Sequence, residues 1–292
     1  PGKKNEMLTQ ASELVVQQNE GSTPEDENSV AAHKKKQRAL PLMIAIILEL
    51  LVIGVIAALA ASNQRGMGAF FNLTLHTAEK GNAWAQYDLG NRYYYGEGVA
   101  QDYPKAVKWY EKAAEQGIVE AQYALANRYY YGEGVVEDYP KAVEWYTKAA
   151  EQGLPEAQYA LGNRYYYGEG VKRDYPKAVE WYTMAAVQGF AEAQYQLGNR
   201  YYYGEGVMWD YPKAVKWYAQ AAEQGLPEAQ YQLGNRYCYG EGVTQNFIKA
   251  VEWYTKAAEQ GFAEAQYALG NRYYSGTGVA QDYIKAMEWC IK

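Results

Sequence analysis

Two hydrophobic patterns divide the chain. Residues 40–61 read LPLMIAIILELLVIGVIAALAA, with Glu49 the single charge and thirteen of the 22 positions Leu, Ile or Val. From Ala85 onward apolar residues instead recur at helical spacing inside a longer period. AQYDLGNRYYYGEGVAQDYPKAVKWYEKAAEQG (85–117) returns as AQYALANRYYYGEGVVEDYPKAVEWYTKAAEQG (121–153). The offset of 36 recurs at Ala157, Ala193, Ala229 and Ala265, giving six copies with no insertion or deletion. A fixed period of this length is the mark of a stacked repeat array.

Each copy predicts two helices. In the first, helix A, Ala85, Leu89 and Tyr93 fall at i, i+4 and i+8 and form one apolar stripe. Gly90, beside Leu89, allows a close neighbour. Gly96-Glu97-Gly98 ends the helix, because glycine takes the left-handed cap without a Cβ penalty. Asp102 then fits an N-cap, with Pro104 tolerated in the first turn. The second helix, helix B, sets Ala106, Trp109, Tyr110, Ala113 and Ala114 at helical spacing and stops at Gly117. One such pair cannot bury both faces, whereas stacked neighbours do.

The apolar segment predicts a membrane anchor. As a helix its 22 residues span roughly 33 Å, enough to cross the hydrocarbon core. Its Leu, Ile and Val contribute roughly −6 kcal/mol, against about +3 for a central carboxylate. A cleaved signal peptide fits less well, despite Ala58-Leu59-Ala60, because the run is too long and a polar arm of 39 residues precedes it. Lys34, Lys35, Lys36 and Arg38 abut its N-terminal side, while only Arg65 and Lys80 follow closely. The positive-inside rule therefore puts the N-terminus in the cytoplasm and the repeats outside, with a bacterial inner membrane and a periplasmic solenoid the favoured setting. Glu49 predicts contact with a partner helix, and Gly54 and Ala58, four apart, suit close helix approach. Solvation of a protonated Glu49 by lipid and plain apolar filling are the alternatives.

Residues 1–39 lack an apolar period. Residues 1–38 hold six Lys/Arg and six Asp/Glu, too little apolar surface to order a segment unaided. With Pro1 first, the sequence is expected to begin inside a longer chain. Helix B of the sixth copy stops short of its AAEQG, which predicts a truncated chain or an absent last turn.

Composition removes function classes. The chain has 292 residues with a net charge of −6, against binding nucleic acid by phosphate neutralisation. Mean hydropathy is −0.52, which hides the greasy segment. Two His and two Cys exclude a His/Cys metal cage, and no His follows His76, against Ser-His-Asp or Cys-His catalysis. No cofactor is expected. Glu97 and Asp102 recur in nearly every copy, so a structural role is expected rather than a unique catalytic pair. Gly96-Glu97-Gly98 is not a phosphate loop, since it follows a helix and lacks the Gly-Lys-Ser/Thr ending. Asn72-Leu73-Thr74 is a glycosylation sequon only in a eukaryotic lumen.

Leu161, Gly162, Tyr165, Gly168, Gly170, Val171, Asp174, Lys177, Ala178, Trp181, Tyr182, Ala185, Ala186 and Gly189 together resemble the Sel-one-like repeat, a relative of the tetratricopeptide repeat. The resemblance covers about residues 66–292, with departures at Ala126, Asn246, Cys290 and Met184. It implies an all-α fold, a right-handed alpha-alpha superhelical solenoid of six helix pairs, here preceded by one transmembrane helix. The expected organisation is a flexible tail (1–39), the anchor (40–61), a short linker with a capping half-repeat (62–81) and six repeats (82–292). Phe70 to Gly81 aligns with a helix B that has no predecessor to pack on. The resemblance also implies an adaptor rather than an enzyme.

Candidate contact residues follow from the copies. A helical wheel puts Tyr87, Asn91 and Tyr94 opposite the Ala85/Leu89 stripe. The set returns as Tyr123, Asn127 and Tyr130; Tyr159, Asn163 and Tyr166; Tyr195, Asn199 and Tyr202; Tyr231, Asn235 and Cys238; and Tyr267, Asn271 and Tyr274. A superhelix lines these into one groove, on the concave side, suited to a partner segment. The competing role is packing between repeats. Differences between copies single out the loop pairs Lys172-Arg173 and Met208-Trp209 as an edge contact, against a Trp folded onto its own repeat. Cys238 and Cys290 predict two thiols, with a disulfide the alternative. The expected function is a membrane subunit whose solenoid docks on an integral membrane protein complex at the lipid bilayer. The alternative is a signalling or receptor module holding a peptide or cell-wall glycan.

Overall fold

The computed structural model describes residues 64–291 and shows thirteen helices without a strand among them. The tail and the anchor, with Glu49, Gly54 and Ala58, lie outside the described residues. Among the described residues no helix is long and apolar enough to cross a membrane.

Helix α1 (Gln64–Glu79) precedes six helix pairs. The A helices are α2 (Ala83–Tyr95), α4 (Val119–Tyr131), α6 (Pro155–Tyr167), α8 (Ala191–Tyr203), α10 (Pro227–Tyr239) and α12 (Ala263–Ser275). The B helices are α3 (Tyr103–Glu115), α5 (Tyr139–Glu151), α7 (Tyr175–Val187), α9 (Tyr211–Glu223), α11 (Phe247–Glu259) and α13 (Tyr283–Cys290). From α2 on, each helix packs against its neighbours in sequence, as a solenoid requires.

The boundaries sit where the sequence puts them. Gly96 caps α2 in the left-handed region at φ 76°, and its equivalents do the same in every copy. The Asp102 carboxylate accepts the Lys105 amide at 2.9 Å, satisfying one of the orphan donors of α3. Asn246 performs the same cap for α11, so that departure is silent. Helices α4 to α12 of the A series start without a side-chain cap, after Ile118, Leu154, Phe190, Leu226 and Phe262. Each of these apolar residues packs on the preceding core cluster or the one it begins.

The interior is a series of five buried clusters, each built mainly from one helix B and the next helix A. In α7, for example, Ala178, Val179, Tyr182, Ala185 and Ala186 are buried against Ala193 and Leu197 of α8. Alanine on both sides lets the backbones approach; tyrosine fills the remaining depth. Gly162 makes room for it, since a Cβ there would stand 2.6 Å from the Tyr182 ring. Gly90 serves Tyr110 in the same way.

The capping half-repeat is a single helix that begins earlier than the alignment suggests: α1 runs through Gln64–Gly66, read above as linker. Phe71 meets Tyr93 edge-on at 5.9 Å, Thr74 donates to Asp88 at 3.3 Å, and Gln86 donates to the Ala78 carbonyl at 3.0 Å.

Candidate interaction surface

The tyrosines and asparagines of helix A divide into three roles. The Tyr110 hydroxyl donates to Asn91 Oδ1 at 2.8 Å, and the same bond joins Tyr182 to Asn163 and Tyr218 to Asn199, each at 2.7 Å. Tyr146 bonds Asn127 likewise. The asparagines thus satisfy the buried hydroxyl of helix B, a bond a buried phenol requires. Tyr87, Tyr159 and Tyr195 stack at 6.0 Å on those helix-B rings, and Tyr123 at 5.9 Å on Tyr146.

The Tyr94 position joins one copy to the next. The Arg128 guanidinium lies 3.9 Å over the Tyr94 ring and pairs with Glu133 at 2.8 Å, and Tyr94 donates to the same carboxylate at 3.4 Å. Tyr130, Tyr166 and Tyr202 repeat this clip with Arg164/Glu169, Arg200/Glu205 and Arg236/Glu241. The four arginines are only 4–8% exposed. For these tyrosines the packing role is the one the geometry displays.

The residue after the clip tyrosine escapes the helical-wheel reading. Tyr95, Tyr131, Tyr167, Tyr203 and Tyr239 end their helices 60–64% exposed, one per copy. Tyr94 meets Tyr95 edge-on at 4.8 Å, and the next three copies match. Four of the five exposed rings are therefore held in place, which lowers the entropy lost on binding, while Tyr239 follows Cys238 instead. A cleft of about 270 Å³ opens beside this row and gathers Tyr87, Asn91, Tyr94, Tyr123 and Asn127 with Tyr95, Arg128, Glu120 and Glu156. Burial pushes the Tyr123 hydroxyl above its ordinary pKa; the Glu156 carboxylate adds to the rise and the bond to Asn127 opposes it. Tyr195 shows the same balance with Glu228 and Asn199. One oxygen each of Glu156 and Glu228 is buried without a hydrogen-bond partner. The surface so built is aromatic, acidic and rich in hydrogen-bonding groups.

The loop edge carries a second pattern. Gln101, Gln245 and Gln281 donate to the carbonyls of Tyr94, Cys238 and Tyr274 at 2.7–2.9 Å, closing the end of helix A. Copies two to four give this bond up together, for Glu137, Arg173 and Trp209. Arg173 lies 5.4 Å over Tyr175, and Trp209 meets Tyr211 at 5.5 Å. Trp209 folds onto its own repeat yet stays 65% exposed, beside Met208 at 86%; Val136 is 87% exposed. Replacing Met208-Trp209 by the Thr-Gln of copy five restores the cap. We expect thermal stability to rise by about 0.5–1.5 kcal/mol, the worth of one hydrogen bond. A fall in stability on thermal denaturation would show that Trp209 serves the fold.

Two further features complete the junctions. Gln122 donates to the Ala114 carbonyl at 3.1 Å and accepts from Gln152 at 2.8 Å, part of a glutamine ladder that runs through the array. The helix-A members Gln86, Gln122, Gln158, Gln194 and Gln230 are 5% exposed; their strict recurrence at one register is the signal that marks them. Cys238, buried, and Cys290, exposed, are both free thiols.

The Sel1 repeat model matches residues 85–118, 119–154, 155–190, 191–226, 227–262 and 263–292. Among solved structures, c5321, a protective antigen present in uropathogenic Escherichia coli strains and displaying an SLR fold, is 43% identical with a TM-score of 0.74. That match covers 75% of this chain and 47% of c5321, so the chain spans about half that protein's length. A Sel1 repeat protein from Oxalobacter formigenes is 32% identical with a TM-score of 0.69, over 82% of this chain and 94% of the other. No match is found among the curated proteins. Six consecutive matched repeats, folded as stacked helix pairs, make this chain a member of the Sel1 repeat family.

Proposed function

We propose that the chain is a non-enzymatic scaffold that holds a protein partner on the exposed tyrosine row and its cleft, and that residues 40–61 anchor it in a membrane with the repeats outside. Sel1 repeat proteins are generally protein-interaction scaffolds. The observation that carries the reading is the row Tyr95, Tyr131, Tyr167, Tyr203 and Tyr239: five large rings kept in water, one step apart, on a rigid support. Exposed tyrosines backed by neighbouring rings suit contact hot spots. The anchor rests on the composition of residues 40–61, and the partner it suggests is an integral membrane protein complex. The likeness to a protective antigen favours display outside the cytoplasm.

Capture of the full chain from mild detergent tests the reading. The chain should bring down a membrane complex in fixed ratio. Replacing Tyr131 and Tyr167 by Ala should leave the melting temperature nearly unchanged and cut capture roughly tenfold or more. Glu49→Leu should loosen the complex. Unchanged capture with Glu49→Leu removes the intramembrane contact. A lone monomer that binds a glycan or soluble peptide replaces the scaffold by a receptor.

A further inference from the structure

The clip between copies is complete at four junctions and altered at the fifth. Arg272 holds the position of Arg128, Arg164, Arg200 and Arg236, one period on. Cys238 stands where its stacking tyrosine belongs, and Thr277 stands where its glutamate belongs. The two departures fall on the two residues that hydrogen-bond each other elsewhere, as Tyr202 and Glu241 do at 3.4 Å. In copy one, where α1 supplies no such tyrosine, Arg92 still has a carboxylate, Asp88 at 2.8 Å. Among the described residues Arg272 is the helix-A arginine without an ion pair. Its Nε is buried with no hydrogen-bond partner, as in Arg128, Arg164, Arg200 and Arg236, so what sets Arg272 apart is the missing carboxylate.

The surroundings of Arg272 also change. Ser275 replaces the exposed tyrosine, and its hydroxyl lies 2.9 Å from that of Thr277. Two hydroxyls now stand at the turn that elsewhere carries a carboxylate, five residues on from Arg272 in the case of Thr277. Leaving a partly desolvated guanidinium without a counter-charge is costly, and arginine pairs best with a planar, two-oxygen anion.

We infer that the junction of copies five and six is a receptor for a carboxylate presented by a partner protein, with Arg272 as the cation and Thr277 and Ser275 as hydroxyl donors. Carboxylate rather than phosphate follows from the fold itself: at the four equivalent junctions Glu133, Glu169, Glu205 and Glu241 fill this seat. The intramolecular glutamate shows which group fits, and copy six leaves the seat to an external one. The inference rests on the scaffold reading only for the source of the carboxylate.

The test uses the full chain in mild detergent at fixed ionic strength. Sodium acetate should raise the melting temperature of the wild type above that in sodium chloride, by more than the exclusion of the salt from protein surface adds to any fold. Thr277→Glu, which rebuilds the internal pair, should raise it without acetate and abolish the acetate increment. Arg272→Met should abolish the increment too. Titration with an acetylated Gly-Glu-Gly amide and with acetyl-Gly-Gly-Gly free acid separates a side-chain carboxylate from a chain terminus. The better ligand should lose about tenfold in affinity with Thr277→Glu, the scale of a charged hydrogen bond. Equal acetate increments in wild type and Thr277→Glu, or none in the wild type, overturn the inference. No partner takes part, so failure here leaves the scaffold reading to its own capture experiment.

Discussion

Raising the pH past 10 should unfold the solenoid within one to two pH units. Tyr110, Tyr146, Tyr182, Tyr218 and Tyr254 are 0–3% exposed, and burial pushes each hydroxyl well above its ordinary range. In the unfolded chain a tyrosine releases its proton near pH 10. In the fold the same proton is held to higher pH. Below pH 10 both states are protonated and the contribution to stability is intact. Above it the unfolded chain binds fewer protons than the native one, so stability falls as pH rises. One such group contributes about 1.4 kcal/mol per pH unit, and five together about 7. A domain holds only about 5–15 kcal/mol in total. Tyrosinate absorbance and helical circular dichroism, followed in one titration, should change together for these five. Tyr182→Phe should shallow the slope by about a fifth, and cost about 1 kcal/mol at neutral pH through the lost bond to Asn163. Full ionisation of every tyrosine with the helices intact would refute the burial argument.

Gly170→Ala should cost more than any glycine change in the turns after helix B. Gly170 has φ +74°, and a Cβ there would stand 2.4 Å from the Tyr139 carbonyl oxygen and 2.8 Å from Pro140 N. The turn of copy three thus lies directly on the first residues of α5, backbone against backbone. The left-handed conformation costs an alanine about 1–2 kcal/mol, and displacing packed main chain about 1–3 more. Gly189 supplies the control. Its φ is +94°, but nothing lies within 4 Å of the added Cβ. Gly189→Ala should therefore cost only the conformational part. Urea denaturation of the two variants separates the contributions, and equal losses would mean the contact relaxes freely.

Much of this architecture is legible from residue order. Period, caps and apolar register are local properties, and Asp102, Gly96 and Gly117 act as their chemistry dictates. The surface is less legible. Tyr94 and Tyr95 are adjacent and chemically identical, yet one clamps the next copy and the other faces water. Which does which depends on the rotation between copies, a tertiary quantity that no helical wheel contains. The glutamines recur visibly, but their burial is hidden for a related reason: their partners are 30 residues away or main-chain carbonyls of the preceding helix. Cys238 is visible as a departure, but its tie to Thr277 emerges only when the clip is seen. The early start of α1 is hidden because Gln64–Gly66 carries no apolar stripe.

An interior that repeats one cluster five times, joined through shared rings such as Tyr129, Tyr165 and Tyr201, changes how the molecule can evolve. A single globular core must be refitted whenever its length changes. Here recombination between identical-phase copies can delete or add 36 residues and leave every remaining cluster whole. The distance between the Met208-Trp209 edge and Arg272 then shifts by one fixed increment, so such a chain is a ruler whose gradations are inherited.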